Sequence, residues 1–409
     1  MRRQAKQPDS APAALLSAEA VRERCHEMLA ACERDALPHF TLDMARLAGV
    51  ADYVADEVRR NYPSLEIPFH SRWRHFEAGG IDRITPLLDE FDGAERARIG
   101  FDLAITSVLL DAGAGAAWRW KEPGTGLELA RSEGLGVASL HLFASGAFSS
   151  DPDQSLRADA DGLSRVTMEA VGDAFQVCAE NPLTGLDGRV ALLHALGDAL
   201  RASPALFGDT PARPGGLFDH LTANRTTVYL RDALHAVLHA LGVIWPGRIT
   251  MDGTDLGDVW RHPALMRSDA THGLVPFHKL SQWLTYSLVE PMLEAGVEVA
   301  GIDALTGLAE YRNGGLFVDL DVLALRDPRA AEFPLAADSE LVVEWRALTV
   351  ALLDRLAPLV WERLGLADVP PPLVKMLEGG TWSAGRRIAT ERRPGGGPPI
   401  EVVSDGTVF

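Results

Sequence analysis

Apolar residues recur at intervals of three and four along most of this 409-residue chain, and that spacing constrains its fold more than any other feature. Over residues 15–36, Leu16, Val21, Cys25, Met28, Leu29 and Cys32 fall on one stripe, with charges opposite, as an amphipathic helix requires. Residues 40–61 repeat the pattern through Met44, Leu47, Val50, Val54 and Val58 until Tyr62-Pro63 stops it. The same period predicts helices over 93–112, 159–178, 187–201, 216–242, 277–294 and 338–364. Strand candidates are short: 138–143, 226–230, 315–320 and 400–403. No longer period recurs, so a solenoid is excluded. The expected fold class is mainly α, with a flexible segment over 1–12 and one compact helical unit over 13–409. That unit is divisible into lobes over about 13–180 and 181–378, with a glycine-rich arm over 379–409.

Acidic residues number 57 against 39 basic ones, a net charge of −18. Such a surface repels phosphate backbones, which excludes a nucleic-acid polymer as partner but allows a small anion in a local basic pocket. Cys25, Cys32 and Cys178 are odd in number and match no zinc spacing, so no disulfide scaffold is expected. The N-terminus lacks an apolar stretch of signal-peptide length, and the most apolar window, 233–245, is too short to span a bilayer. A soluble cytoplasmic protein without a membrane partner is the expectation. His235 and His239 in that window read as core histidines.

Four constellations stand out. Residues 67–83, IPFHSRWRHFEAGGIDR, crowd Phe69, His70, Trp73 and Arg74 into a segment able to stack a planar group and hold an anion. In 248–262 the spacing of Asp252, Asp255 and Asp258 lacks the register of a calcium loop; Asp255 suits a helix N-cap, and Asp252 a pocket. In 273–321 a helix carries His278, Gln282 and Thr285 or Tyr286 as a polar stripe. A second helix over 302–310 is expected to end at Tyr311-Arg312, Gly314-Gly315 to turn the chain, and 317–321 to run as a strand. Glu310, Tyr311, Arg312, Asp319 and Asp321 would then converge on one corner. The fourth, KMLEGGTWSAGRRIATERR over 375–393, offers Thr381, Ser383 and Arg386 beside Gly379-Gly380, phosphate-binding chemistry without the Walker spacing.

The segments IPFHSRWRHFEAGGIDR, RITMDGTDLGD, VPFHKLSQWLTYSLVEPM, LTGLAEYRNGGLFVD and LEGGTWSAGRRIATERR, with the terminal SDGTVF, resemble the uracil-catabolism protein 4 (Urc4/Urg3) family from about residue 12 onward. The resemblance implies a place in a uracil-degrading route that passes through a ribosylurea. A shorter run, Leu305-Thr306 to Ala309-Glu310-Tyr311-Arg312, is similar to a motif of the queuosine salvage N-glycosidases, which are helical proteins with a DNA-glycosylase-like fold. Glu310 stands where that motif has Asp. Together the resemblances imply hydrolysis of an N-ribosyl bond in a ribosylurea or its 5-phosphate. Glu310, then Asp252 and Asp319, would serve as the carboxylate, and Tyr311 or His278 as the proton donor. Arg312, Arg74, Lys279 or Arg386, with Thr381, would hold a phosphate, while Phe69, His70, Trp73, Phe277 and Trp283 would line the site. No metal or other cofactor is required, and the expected partners are the small-molecule substrate and other enzymes of the pathway. The competing classes are a non-catalytic pathway scaffold, a hydrolase of another nucleoside phosphate, and an amidohydrolase acting on the ureide.

Overall fold

Ser17 starts the first helix: its hydroxyl accepts from the Ala20 N–H at 3.1 Å, and Ala18–Glu33 follows with the predicted stripe buried. The computed structural model describes residues 11–245 and 249–403; most of the expected flexible segment 1–12, residues 246–248 and SDGTVF lie outside the described residues. Helices dominate, and strands occur only as short pairs, so the fold is mainly α. No helix among the described residues is long and apolar enough to cross a membrane.

The described residues form two units interleaved along the chain, one from 11–70, 249–282 and 302–403, the other from 71–245 and 283–301. In the first, Ala18–Glu33 and Leu47–Asn61 pack on Glu340–Leu364, a 25-residue helix buried over most of its length. Phe40–Leu42 pairs antiparallel with Leu323–Leu325, and Val259–Arg261 with Leu274–Pro276. In the second, Gly93–Leu109 is the central helix, contacted by Arg131–Ala144, Leu186–Ala202, Gly216–Thr222 and Val289–Glu294. Thr227–Tyr229 pairs in parallel with Glu298–Ala300, within the predicted strand 226–230.

Several local expectations are overturned. Residues 138–143 lie inside the Arg131–Ala144 helix, and 315–319 inside Tyr311–Asp319. Both runs are buried on nearly every side and so carry no polar stripe to separate helix from strand. The helix over 302–310 is absent: a single 3₁₀ turn, Ile302–Ala304, leads into extended chain. The glycine-rich arm expected from residue 379 begins instead as helix: Leu373–Met376, a π-helical turn Leu377–Thr381 and Trp382–Arg392 run on continuously. Thr250–Met251 and Thr254–Asp255 form a hairpin with Asp252 (φ 49°) and Gly253 (φ 78°) in its turn, so Asp255 caps no helix. His235 and His239 are exposed, with ring centroids 4.1 Å apart, not core residues.

The glycines explain much of this. Gly314 sits inside a helix because a Cβ there would stand 2.7 Å from Thr349 Oγ1 and 2.8 Å from the Trp345 indole. At Gly385 it would stand 2.1 Å from the Arg312 carbonyl oxygen, so helices Tyr311–Asp319 and Trp382–Arg392 touch backbone to backbone. Close packing, not turning, is what these residues supply.

Candidate functional site

Within the first unit Glu310, Tyr311 and Arg312 lie together in one place, and Phe69, His70, Thr381 and Arg386 around a second. The first centres on Glu310. Its side chain is the N-cap of Tyr311–Asp319: Oε2 accepts from the N–H of Arg312 at 2.8 Å and of Asn313 at 3.1 Å. Two N–H donors at the positive end of a helix dipole fix this oxygen in place. Oε1 takes no hydrogen bond among the described residues, and the residue is partly exposed. Next to it Tyr311 is exposed, with the Arg312 guanidinium 4.8 Å from its ring centroid; Arg312 is buried and donates to the Gly396 carbonyl at 2.8 Å.

The approach to Glu310 is braced from the Lys279–Ser287 helix. Thr306 N–H donates to Gln282 Oε1 at 2.9 Å, and Gln282 Nε2 donates to Thr306 Oγ1 at 2.8 Å. Just upstream, Phe277 lies under the Arg346 guanidinium at 4.1 Å, and Arg346 forks onto both oxygens of Asp258 at 2.9 Å each. Asp258 also accepts from Trp260 Nε1 at 2.6 Å and from the Lys279 backbone N–H at 2.9 Å. Burial alone would push this carboxyl up; the charge and hydrogen bonds of Arg346, with Trp260 and the Lys279 N–H, prevail and hold it far below the usual carboxylate range. His278 adopts a left-handed conformation (φ 48°), and its Nε2 donates to the Leu15 carbonyl at 2.9 Å. Burial lowers its pKa, so it is a neutral, committed donor rather than the free acid expected of it.

The second place is a cleft of about 680 Å³ between Leu47–Asn61 and Trp382–Arg392, lined among others by Tyr62, Trp382, Ser383, Arg386 and Arg387. At its edge the π-helical turn presents Glu378 to His70, whose Nδ1 lies 2.7 Å from Oε2, and to Tyr62, whose hydroxyl donates to Oε1 at 3.3 Å. Phe69 packs under the Lys375 ammonium at 5.0 Å. Thr381 is fully buried, and Gly379 and Gly380 face Ile67 and Val54 across contacts too tight for a Cβ. This segment is therefore a packing surface rather than a phosphate cradle.

Other expectations do not converge. Asp319 and Asp321 stand at the far end of the nine-residue helix that Glu310 caps, roughly 13 Å away at 1.5 Å per residue. Asp319 is nearly buried and forked by Arg393 at 2.5 and 2.6 Å. Asp252 is exposed in its hairpin turn. Trp73, Arg74 and Trp283 belong to the second unit, where Trp73 Nε1 donates to the Ser287 carbonyl at 2.7 Å and Arg74 pairs with Glu290 at 2.5 Å. Trp283 there stacks on the buried Arg72 guanidinium at 5.6 Å. Among the described residues, no three His, Cys, Asp or Glu side chains are grouped to hold a metal ion. Sequence reading missed Arg346 and Glu378, and it weighed Asp258 only for calcium. The partner of Asp258 lies 88 residues away, a pairing that no local spacing reveals.

Residues 14–409 match the family described as Protein of unknown function (DUF1688). The chain is 38% identical to Uracil catabolism protein 4 of Lachancea kluyveri, covering 91% of this chain and 92% of that one. It is 41% identical to Protein urg3 of Schizosaccharomyces pombe, covering 97% and 98% respectively.

Proposed function

We propose, from the premise that the chain belongs to the DUF1688 family with these two relatives, that it acts in uracil catabolism as an N-ribosyl hydrolase. Its substrate in this reading is a ribosylurea or its 5-phosphate. Water adds to C1′, the C1′–N bond breaks, and the water proton passes to the departing nitrogen, giving urea and ribose or its phosphate. The observation that carries the reading is the Glu310 carboxylate, fixed by two backbone N–H groups through one oxygen and, among the described residues, without a hydrogen bond at the other. A carboxylate positioned this way is suited to face an oxocarbenium-like C1′, where fixed negative charge lowers the barrier. Tyr311, exposed beside it, gives its phenolic proton to the departing nitrogen in this scheme and takes one back from the attacking water.

The test is urea release from ribosylurea and from its 5-phosphate, read by coupled urease. Glu310→Gln keeps an amide oxygen to accept the Arg312 and Asn313 N–H groups, so its melting temperature should stay near that of the parent chain. Urea release should fall about a hundredfold or more. An unchanged rate in the folded variant would remove Glu310 from the reaction.

A further inference from the structure

We propose that His235 and His239 form a binding site for a divalent transition-metal ion of the zinc class, on the exposed face of Leu230–Leu241 in the second unit. The site takes no part in the N-ribosyl reading and stands whether or not that reading does.

Leu230–Leu241 buries an apolar face through Ala233, Leu234, Val237 and Leu241, which leaves Arg231, His235 and His239 on the solvent side. Helix propensity does not account for the two histidines, since Lys, Glu or Gln would favour the helix more. Four residues apart, they stand one above the other on successive turns, with ring centroids 4.1 Å apart and ring planes at 40°. Among the described residues no hydrogen bond or ion pair engages either imidazole. A tetrahedral ion about 2.0–2.1 Å from each nitrogen spaces the two nitrogens roughly 3.3 Å apart. Rings this close reach that separation by turning about their own side-chain bonds. Two histidines at this spacing on one helix face are the arrangement by which helices present paired zinc ligands.

The surroundings favour a cation. His239 lies in the last turn, at the negative end of the helix dipole, in a chain of net charge −18. Arg231, one turn before His235, is drawn aside: its guanidinium packs on the Tyr229 ring at 5.4 Å and lies 3.7 Å from Asp232. Imidazole ligates only when unprotonated, and His239 is held below its ordinary value by burial first and by His235 second, so protons compete weakly at neutral pH. Neutral nitrogen donors suit zinc, nickel or copper, whereas magnesium and calcium take oxygen. Two protein ligands leave the other tetrahedral positions to solvent. The ion is therefore a staple across the last turns of the helix, unlike the closed four-ligand cage of a structural zinc site.

Isothermal titration of the full chain, freed of metal with EDTA and dialysed, tests the proposal with zinc chloride and, as a second arm, magnesium chloride. Zinc should show one tightest site per chain, and magnesium should bind at least a hundredfold more weakly. His235→Gln and His239→Gln should each weaken zinc tenfold or more, because chelation needs both rings. Two histidines binding independently would instead lose about twofold at either substitution, which overturns the proposal. Cys178→Ser removes an exposed thiol, the competing kind of zinc ligand, and His220→Gln an exposed imidazole on another helix; neither should change the affinity beyond twofold. In proton NMR of the parent chain the ring signals of His235 and His239 should shift together at one zinc midpoint, and this carries the test if a glutamine variant loses the parent's circular dichroism. Absence of saturable zinc heat overturns the proposal. So does zinc binding that survives both glutamine substitutions or is lost in Cys178→Ser, since that places the ion elsewhere.

Discussion

Asp258→Asn removes one half of a buried fork and leaves the Arg346 guanidinium, 3% exposed, over Phe277 without its counter-charge. Breaking such a pair from one side costs about 3–5 kcal/mol, so chemical denaturation at neutral pH should show a loss of that size. The pH dependence has a defined sign. Because the folded carboxyl ionises far below its unfolded value, its stabilisation is complete above the unfolded pKa and lost as pH falls. The gap between parent and variant should therefore be flat from about pH 5 to 8 and narrow below about pH 4. Residue-level legibility was uneven for a physical reason. Glu310 lay in a contiguous motif, and its neighbour Arg312 is placed by the same turn of helix. The roles of Asp258, Arg346 and Glu378 come from partners far along the chain, and isolated carboxylates look alike until folding decides which are forked by arginine. Asp319 misled for the same reason: its fork to Arg393 spans 74 residues.

Helix contacts in the first unit depend on backbone approach. Gly385→Ala would drive a methyl to 2.1 Å from the Arg312 carbonyl oxygen, so urea denaturation should show a loss of about 1–3 kcal/mol or more. Gly49→Ala, inside Leu47–Asn61 with nothing within 4 Å of its Cβ position, should instead gain about 0.5–1 kcal/mol. A second element-scale test uses the exposed His235 and His239 pair. The His239 pKa is lowered first by burial and then by His235, so His235→Gln should raise it part of the way to its ordinary value in an NMR titration. Helices were legible within a few residues at Ala18–Glu33, Gly93–Leu109 and Glu340–Leu364, but of the helix expected over 40–61 only Leu47–Asn61 is helical, Phe40–Leu42 being a strand. They were illegible where burial is all round, as at Arg131–Ala144, and where glycine serves contact instead of turning. Tyr311–Asp319 and the π-helical turn are both of the latter kind.

At the scale of the molecule, the first unit draws on three separated stretches of chain, so none of them holds a complete core. Residues 302–403 expressed alone lack Ala18–Glu33 and Leu47–Asn61, which cover Glu340–Leu364. That fragment should show poor amide dispersion and no cooperative melt, and a sharp melt would show that the long helix does not depend on them. The same interleaving sets a timetable during synthesis. Ala18–Glu33 is made first, yet the Glu340–Leu364 helix it packs on is finished only at residue 364. At about 5–20 residues per second, its apolar stripe waits roughly 15–65 s for its partner. Nascent chains should accordingly occupy ribosome-associated chaperones longest through their first helix, and expression should respond more to translation speed across the intervening residues than to the final stability of the fold.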